Sequence, residues 1–408
     1  MAKHTRKELY QWQALPLSVK ISMTKQRIRD WVNEFGLDGI YVSFSGGKDS
    51  SVLLHIAREM YGNSIKAVFI DTGLEYPEIR ELVKTYENVD WVRPKKHFRQ
   101  VCEEYGFPLI SKEVSECVYG AKKYLTSILD EMNASTNERT NERTNERSTL
   151  MLSTIENSEE LANILDQRMQ NREGGSNQRL AIMLGMLTKD QRIKANIPNR
   201  DRSMFAQEKW KFFLEAPFDI SNRCCNVMKK EPAHRYAKET GRKPMTAQMA
   251  SESRLRSQKW LQNGCNAFNL RYPISNPMAF WTEQDVLLYI KTHNVPLASI
   301  YGEIVVDHKD YGQIDGQMSI ADFMSASEKE EFELDKPLLK TTELDRTGCV
   351  FCGFGCHMKG GRDRFIKLQE THPKHFQAMY NIKNNGVSYI EAIYWINEHN
   401  GKGEIIKY

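Results

Sequence analysis

The stretch Tyr41–Ala57, YVSFSGGKDSSVLLHIA, restricts what this chain can fold into more than any other. Tyr41 to Phe44 reads as the end of a buried strand, and Ser45, Gly46 and Gly47 as a tight turn. Asp49 to Met60 then reads as a helix, with Val52, Leu53, Ile56 and Ala57 on one apolar face. Ser50 and Ser51 stand near its start, where hydroxyls cap free amides. Strand, glycine turn and helix N-terminus together make an anion site. The glycines let backbone N–H groups approach a phosphate, and the helix dipole favours its charge. The spacing GxxxxGK[ST] cannot be fitted here, so this is not a Walker A loop.

Further strands follow the same plan. Ala67–Ile70 reads as the second and runs into Asp71-Thr72-Gly73, which puts a carboxylate and a hydroxyl at the carboxyl edge of a parallel sheet. Ligands sit at that edge in open α/β folds; the plainer reading is a capped turn before a helix from Pro77. Asp90–Arg93 reads as a third strand, His97–Tyr105 as a helix and Pro244–Met249 as a later strand. Val19–Phe35 reads as an amphipathic basic helix, with Ile21, Ile28, Trp31 and Val32 apolar and packed on the sheet. Phe205–Leu214 reads as an apolar helix. Asn276–Asn294 reads as a helix introduced by Pro277, with Thr282 as N-cap and Trp281, Val286, Leu287 and Ile290 as core.

The loop SGGKDS resembles the pyrophosphate loop of the PP-loop ATP pyrophosphatase superfamily, and within it the chain resembles the phosphoadenosine phosphosulfate (PAPS) reductase family. The resemblance extends to DTG at Asp71–Gly73, which in the family faces the nucleotide. It also covers GFPLISKEVSECV at Gly106–Val118, a loop over the site whose Lys112 is a candidate phosphate or substrate contact. The CC, KK.P, TG and ES.R elements of Ser221–Asn266 surround cluster and nucleotide in the family, which makes Arg254 a candidate nucleotide contact, with Arg256 nearby. The P..WT..DV..YI pattern in Asn276–Asn294 and THPKHF from Thr371 are further similarities.

The resemblance implies an α/β fold: a parallel sheet flanked by helices, with a helical or low-complexity insertion and a C-terminal cysteine-rich segment. A nucleotide-binding domain over residues 1–300, with an insertion at about 121–200, and a segment over 301–408 are expected. The insertion carries TNERTNERTNERST, Thr136–Thr149, a polar tract too short for a solenoid. Residues 301–345 read as an irregular acidic connector. With 408 residues the chain has room for two or three domains. No apolar run is long enough to span a membrane, and MAKHTRKELYQWQ has no apolar h-region, so a cytoplasmic protein is expected. A net charge of +4 permits nucleic-acid binding without arguing for it.

Eight cysteines without a secretion signal argue against a disulfide framework, and their clustering suggests a metal. Cys349 and Cys352, two residues apart, can point thiolates at one centre; Cys356 follows, with His357 beside it. Alone, this pattern suits a zinc knuckle, a redox dithiol or an iron–sulfur site. The adjacent pair Cys224-Cys225 with the distant CxxC resembles the ligand set of the 4Fe–4S sulfonucleotide reductases. That resemblance implies a 4Fe–4S cluster on Cys224, Cys225, Cys349 and Cys352. Cys356 departs from the pattern and is an alternative to Cys224; Cys265 reads as a nearby free thiol, and Cys102 and Cys117 as buried thiols. No cysteine follows Cys356, whereas the assimilatory reductases carry their attacking thiol in a C-terminal Glu-Cys-Gly-Leu-His segment.

The expected function is therefore binding of ATP or a PAPS-like nucleotide, with attack of an acceptor on the α-phosphate and release of pyrophosphate. Ser45, Gly46, Gly47, Lys48 and Ser50 would hold the phosphates, with Lys48 and Asp49 as the catalytic pair. Asp71 and Thr72 would face the nucleotide, and Asp49 and Asp71 would contact magnesium. The acceptor is open and includes nucleic acid; a partner protein is in scope, a membrane is not. The alternatives are a PAPS or adenosine phosphosulfate reductase with a non-standard thiol, and a non-catalytic nucleotide or redox sensor.

Overall fold

A computed structural model describes residues 3–135, 207–307, 338–358, 361 and 363–408. The TNER tract and the interior of the 301–345 connector lie outside these residues. The chain divides into two compact units, Met1–Arg93 with Pro232–Cys349, and Pro94–Glu231 with Val350–Tyr408. The strands, in chain order, are β1 Ile40–Ser43, β2 Ala67–Ile70, β3 Val89–Val92, β4 Leu109–Ile110, β5 Lys243–Met245 and β6 Asn266–Ala267. They continue with β7 Ile274–Ser275, β8 Ile304–Val306, β9 Leu339–Thr341, β10 Gly353–Phe354, β11 Lys383–Asn384 and β12 Val387–Ser388.

The first unit is built on a sheet of order β3-β2-β1-β5-β7-β6. All its pairs are parallel except β6–β7. Its strands are apolar and short: Ile40, Tyr41 and Val42 and Ala67, Val68 and Phe69 are buried, as strands covered on both faces require. The α/β parallel fold read from the sequence is the one observed. The strand expected over Pro244–Met249 stops at Met245, where the amide of Thr246 makes the last ladder bond to the Ser275 carbonyl at 2.8 Å.

The helix Leu17–Phe35 buries Lys20, Thr24, Ile28 and Trp31 at spacings of one turn. Ile21 and Val32 are only half-buried. The polar members are there for a reason. Lys20 Nζ donates to Asp285 Oδ2 at 2.7 Å and to the Gln13 carbonyl at 2.6 Å. Thr24 Oγ1 accepts from Trp281 Nε1 at 2.9 Å. Both contacts grip the helix Glu283–His293, which is shorter than the Asn276–Asn294 reading. Its start is fixed by Thr282, whose hydroxyl accepts from the Asp285 amide; the residues after Pro277 form turns instead.

Residues 301–349 belong to this first unit, so the division expected at residue 300 falls inside it. The cause is an antiparallel pair, β8 with β9. Gln284 clamps β9 by bonding the Leu339 amide at 2.7 Å and its carbonyl at 3.0 Å.

In the second unit β4 pairs in parallel with β10, and β11 with β12 in a hairpin. The helices include Phe98–Tyr105, Lys112–Ser135, Arg364–Thr371 and Tyr389–His399. The helix from Lys112 runs on through the first residues of the stretch read as an insertion. Glu208–Leu214 is 3-10 rather than α-helical, and its Trp210 and Phe213 rings pack in an aromatic core with Phe218 and Trp395. No helix among the described residues is long and apolar enough to cross a membrane.

The Lys20–Asp285 pair is buried, and removal of one partner strands the other charge. Lys20→Ala should therefore lower unfolding stability by about 3–5 kcal/mol. Equilibrium urea unfolding measures this, and a loss under about 1 kcal/mol would show that the pair does not hold the helix Glu283–His293 in place.

Candidate functional site

The turn after β1 depends on one glycine. Gly46 has φ +69°, and a Cβ there would lie 2.8 Å from Ile79 Cγ2 and 2.9 Å from Val83 Cγ2. Those atoms belong to the helix Pro77–Lys84, so Gly46 needs both left-handed backbone and absence of a side chain. Gly47 is different. It is the N-cap of the helix Lys48–Tyr61 with ordinary dihedrals, and a Cβ there would meet nothing closer than 3.4 Å. Its bareness leaves the helix N-terminus open rather than relieving strain. Ser50 ties the loop: its Oγ accepts from the Ser45 amide at 3.1 Å, lies 3.0 Å from Ser45 Oγ and donates to the Gly47 carbonyl at 3.0 Å. The capping expected of Ser50 and Ser51 does not occur, and the N-cap Gly47 has no side chain to supply it; the Lys48 amide instead donates to the Tyr301 hydroxyl.

Lys48 is 6% exposed, and its Nζ lies 3.0 Å from Glu283 Oε1 and over the Tyr301 ring at 5.5 Å. The Tyr301 hydroxyl bonds Thr347 Oγ1 at 3.0 Å. Burial pushes the Asp49 carboxyl above its usual range, while Lys48, Arg346 and Arg256 pull it down. Arg256 therefore faces the loop electrostatically. Arg254, the sequence candidate, is the exposed first residue of the helix Arg254–Asn263. The one-turn geometry after the Ser253 N-cap turns the second arginine, not the first, toward Glu252 and Asp49.

Asp71 sits just past β2, and its Oδ2 accepts from Arg80 Nη2 at 3.2 Å and Arg93 Nε at 3.1 Å. Its Oδ1 is buried with no hydrogen-bond partner. A buried carboxylate oxygen without a donor suits a ligand hydroxyl, amine or cation. Thr72 is committed locally: its amide and hydroxyl both donate to Glu75, at 3.1 and 2.7 Å. Arg80, Arg93, Glu283 and Tyr301 carry no local sequence signal, since their partners lie far along the chain or in another element.

Lys112 belongs to the second unit, where it begins a helix and its charge bears on Cys225. Cys224 and Cys225 open a short helix followed by a π turn, Asn226–Lys230. The Cys225 thiol is pushed down to about 6 by a hydrogen bond from Cys224 and by Lys112, Lys229 and Lys230. Tyr389 is fully buried, donates to the Phe351 carbonyl at 2.7 Å, and senses the charges of Cys352, Cys102, Cys356 and Cys224. Cys224, Cys352 and Cys356 all act electrostatically on this tyrosine, whose hydroxyl burial pushes well above its usual range. A Cβ on Gly353 would meet Leu109 Cδ2 at 2.5 Å and the Tyr389 hydroxyl at 3.1 Å, so the segment after Cys352 packs tightly there. Cys356 Sγ donates to the Cys352 carbonyl at 3.8 Å, and burial pushes its thiol up to about 12. Cys349 closes the first unit. None of the eight cysteines is in a disulfide. Among the described residues no three His, Cys, Asp or Glu side chains converge on one metal position.

Two outcomes follow from the loop. Gly46→Ala forces left-handed backbone and a clash, and should cost about 2–4 kcal/mol. Gly47→Val should leave the melting temperature nearly unchanged yet abolish phosphate-ligand binding in calorimetry; equal stability losses in both variants would contradict these roles. The second concerns pH. A carboxyl raised by burial is penalised once ionised, so the penalty grows as pH rises from the unfolded toward the folded value. Asp49→Asn should therefore stabilise the protein at pH 7 and not at pH 3, as read by thermal melts at the two pH values.

Residues 39–164 and 175–353 match the family model described as the phosphoadenosine phosphosulfate reductase domain. The match takes in the phosphate loop, Asp71, Lys112, Cys224, Cys225, Cys349 and Cys352, and ends before Cys356. It also includes most of the 121–200 stretch and breaks only between 164 and 175. An uncharacterized protein of Methanocaldococcus jannaschii is 40% identical over 73 residues, 17% of this chain. The chain thus covers 15% of that relative's length. With the larger part of its length inside the family match, and the loop, edge carboxylate and parallel sheet in place, the chain belongs to the phosphoadenosine phosphosulfate reductase domain family.

Proposed function

We propose that the first unit binds ATP at the Ser45–Ser50 loop and activates an acceptor by adenylation. The observation that carries this reading is the helix N-terminus behind Gly46 and Gly47, with no N-cap side chain and Lys48 buried at its first position. The acceptor attacks the α-phosphorus, the bond to the bridging oxygen breaks, and pyrophosphate leaves with the electron pair. Lys48 offsets the charge that develops on the leaving oxygens. Asp49 and the open Oδ1 of Asp71 suit magnesium or the nucleotide's sugar and base. Thr72 shapes the edge through Glu75 rather than touching the ligand.

The reading extends to a 4Fe–4S cluster on Cys224, Cys225, Cys349 and Cys352, supported by a family match that spans all four; among the described residues no three such groups are drawn together as a metal site. Cys225, already depressed, is a ready thiolate ligand, and Cys224 and Cys352 both act electrostatically on Tyr389. Cys349, three residues before Cys352, is the fourth by sequence. A cubane spreads its ligands over four irons, so it does not demand the close three-group convergence of a single zinc ion. Cys356 lies past the end of the family match and donates to the Cys352 carbonyl, which favours the other four cysteines as ligands. Such a centre would supply sulfur or electrons, or hold the fold. Family membership favours one second reading, reduction of a sulfonucleotide, with sulfite as product.

Anaerobically purified protein with ATP, magnesium and a sulfur-bearing acceptor should release pyrophosphate, and Lys48→Met should slow this about 10²- to 10³-fold. Sulfite release from PAPS with a dithiol donor, and no pyrophosphate, would replace this reading with the second. The same preparation should hold about four irons per chain, lost in Cys352→Ser and kept in Cys102→Ser and Cys356→Ser.

A further inference from the structure

Tyr301 reaches the phosphate loop from far along the chain. It closes the short 3-10 turn Ser299–Tyr301 and is 2% exposed. Its carbonyl accepts from the Glu343 amide at 3.2 Å, and the next residue, Gly302, has φ +66° with Thr342 packed where a Cβ would stand. The backbone therefore fixes where the ring points. Lys48 Nζ lies over that ring at 5.5 Å from its centroid, and its charge is paired with Glu283 at 3.0 Å. Loop, turn and ring all belong to the first unit.

The position of the hydroxyl is more specific than packing requires. A Cβ on Gly47 would lie 3.4 Å from the Tyr301 hydroxyl and 3.4 Å from Ser45 Oγ. The bare N-cap thus leaves a space flanked by two hydroxyls at the start of the helix Lys48–Tyr61. Ser45 Oγ is engaged with Ser50 Oγ at 3.0 Å. The Tyr301 hydroxyl accepts from the Lys48 amide and lies 3.0 Å from Thr347 Oγ1. A phenol has one proton and two lone pairs. With the Lys48 amide on one lone pair and Thr347 donating to the other, the proton is left for a group seated beside Gly47. Burial pushes this hydroxyl above its usual range, so it keeps its proton at neutral pH. An anion in that space gains a charge-assisted hydrogen bond.

We propose that Tyr301 is a phosphate-binding residue of this site: its hydroxyl, with Thr347 as donor to it, donates a hydrogen bond to a phosphate oxygen seated against Gly47, and its ring supports the Lys48 ammonium. This rests on the nucleotide reading of the loop and adds to it a side chain from outside the loop. Thr347 is then a positioning residue. Because the contact is to phosphate, inorganic pyrophosphate reports it without the nucleoside.

The test is calorimetry on the full chain with magnesium, using inorganic pyrophosphate, ATP and adenosine. Tyr301→Phe keeps the ring beneath Lys48 and removes the hydroxyl. It should weaken pyrophosphate and ATP about tenfold to a hundredfold and leave adenosine within about twofold. Thr347→Val should lose part of the same affinity, and Thr347→Ser should restore it. Thermal melts establish that each variant is folded; if Tyr301→Phe is not, the Thr347 pair decides, and undiminished pyrophosphate binding by Thr347→Val would overturn the assignment. Pyrophosphate bound as tightly by Tyr301→Phe as by the unaltered protein, or adenosine weakened as much as pyrophosphate, would overturn it too, while leaving the loop as a nucleotide site. If the unaltered protein binds neither pyrophosphate nor ATP, the nucleotide reading fails, and the role of Tyr301 with it.

Discussion

Gly46 enters left-handed backbone within van der Waals reach of Ile79 and Val83, and the site of the first unit follows from that one close approach. Because the turn presses on the helix Pro77–Lys84, the chain leaves β1 and reverses into the helix Lys48–Tyr61 with a bare glycine as its N-cap and the Tyr301 hydroxyl beside it. Ser50 then closes the loop from inside, through Ser45 and Gly47. The Lys48 amide is met by the Tyr301 hydroxyl, and no side chain of the N-cap serves the amides that follow, an arrangement that suits an anion or water there.

Charge is arranged around this turn in pairs, and no cation is left to stand alone. Lys48 has Glu283, Arg80 and Arg93 share Asp71, and Arg256 and Arg346 share Glu252. Each carboxylate offsets the cost of holding a cation near an apolar core and also limits where its partner can point. The helix Glu283–His293 supplies the first of these pairs, which links the buried Lys20–Asp285 contact at its start to the chemistry one strand away.

Local pattern made much of this legible. The strand–SGG–helix junction, the strand ending in Asp-Thr-Gly and the Thr282 cap are all short-range signals, and they sit where the sequence puts them. A short motif carries no helical phase, so it named Arg254 with Arg256 nearby but could not tell which of them pairs with Glu252; the Ser253 cap sets that phase and turns Arg256 to it. Arg80, Arg93, Glu283 and Glu252 were not read because their roles come from partners in other elements. The contact that ties residues beyond 300 to the first unit was not legible for a similar reason: Gln284 binds β9 across a long sequence separation, with nothing in either segment to announce it. The cysteines show both cases. The CC pair opens a helix as expected, whereas the carbonyl-bonded state of Cys356 depends on burial that spacing does not encode.

The central claim, that the helix amides behind Gly46 and Gly47 receive nucleotide phosphates, is most directly tested by amide hydrogen exchange with and without ATP and magnesium. The account predicts that peptides spanning Ser45–Ser51 slow markedly on ATP addition, while those of the helix Leu17–Phe35 do not change. Unaltered exchange across Ser45–Ser51 at saturating ATP would contradict it.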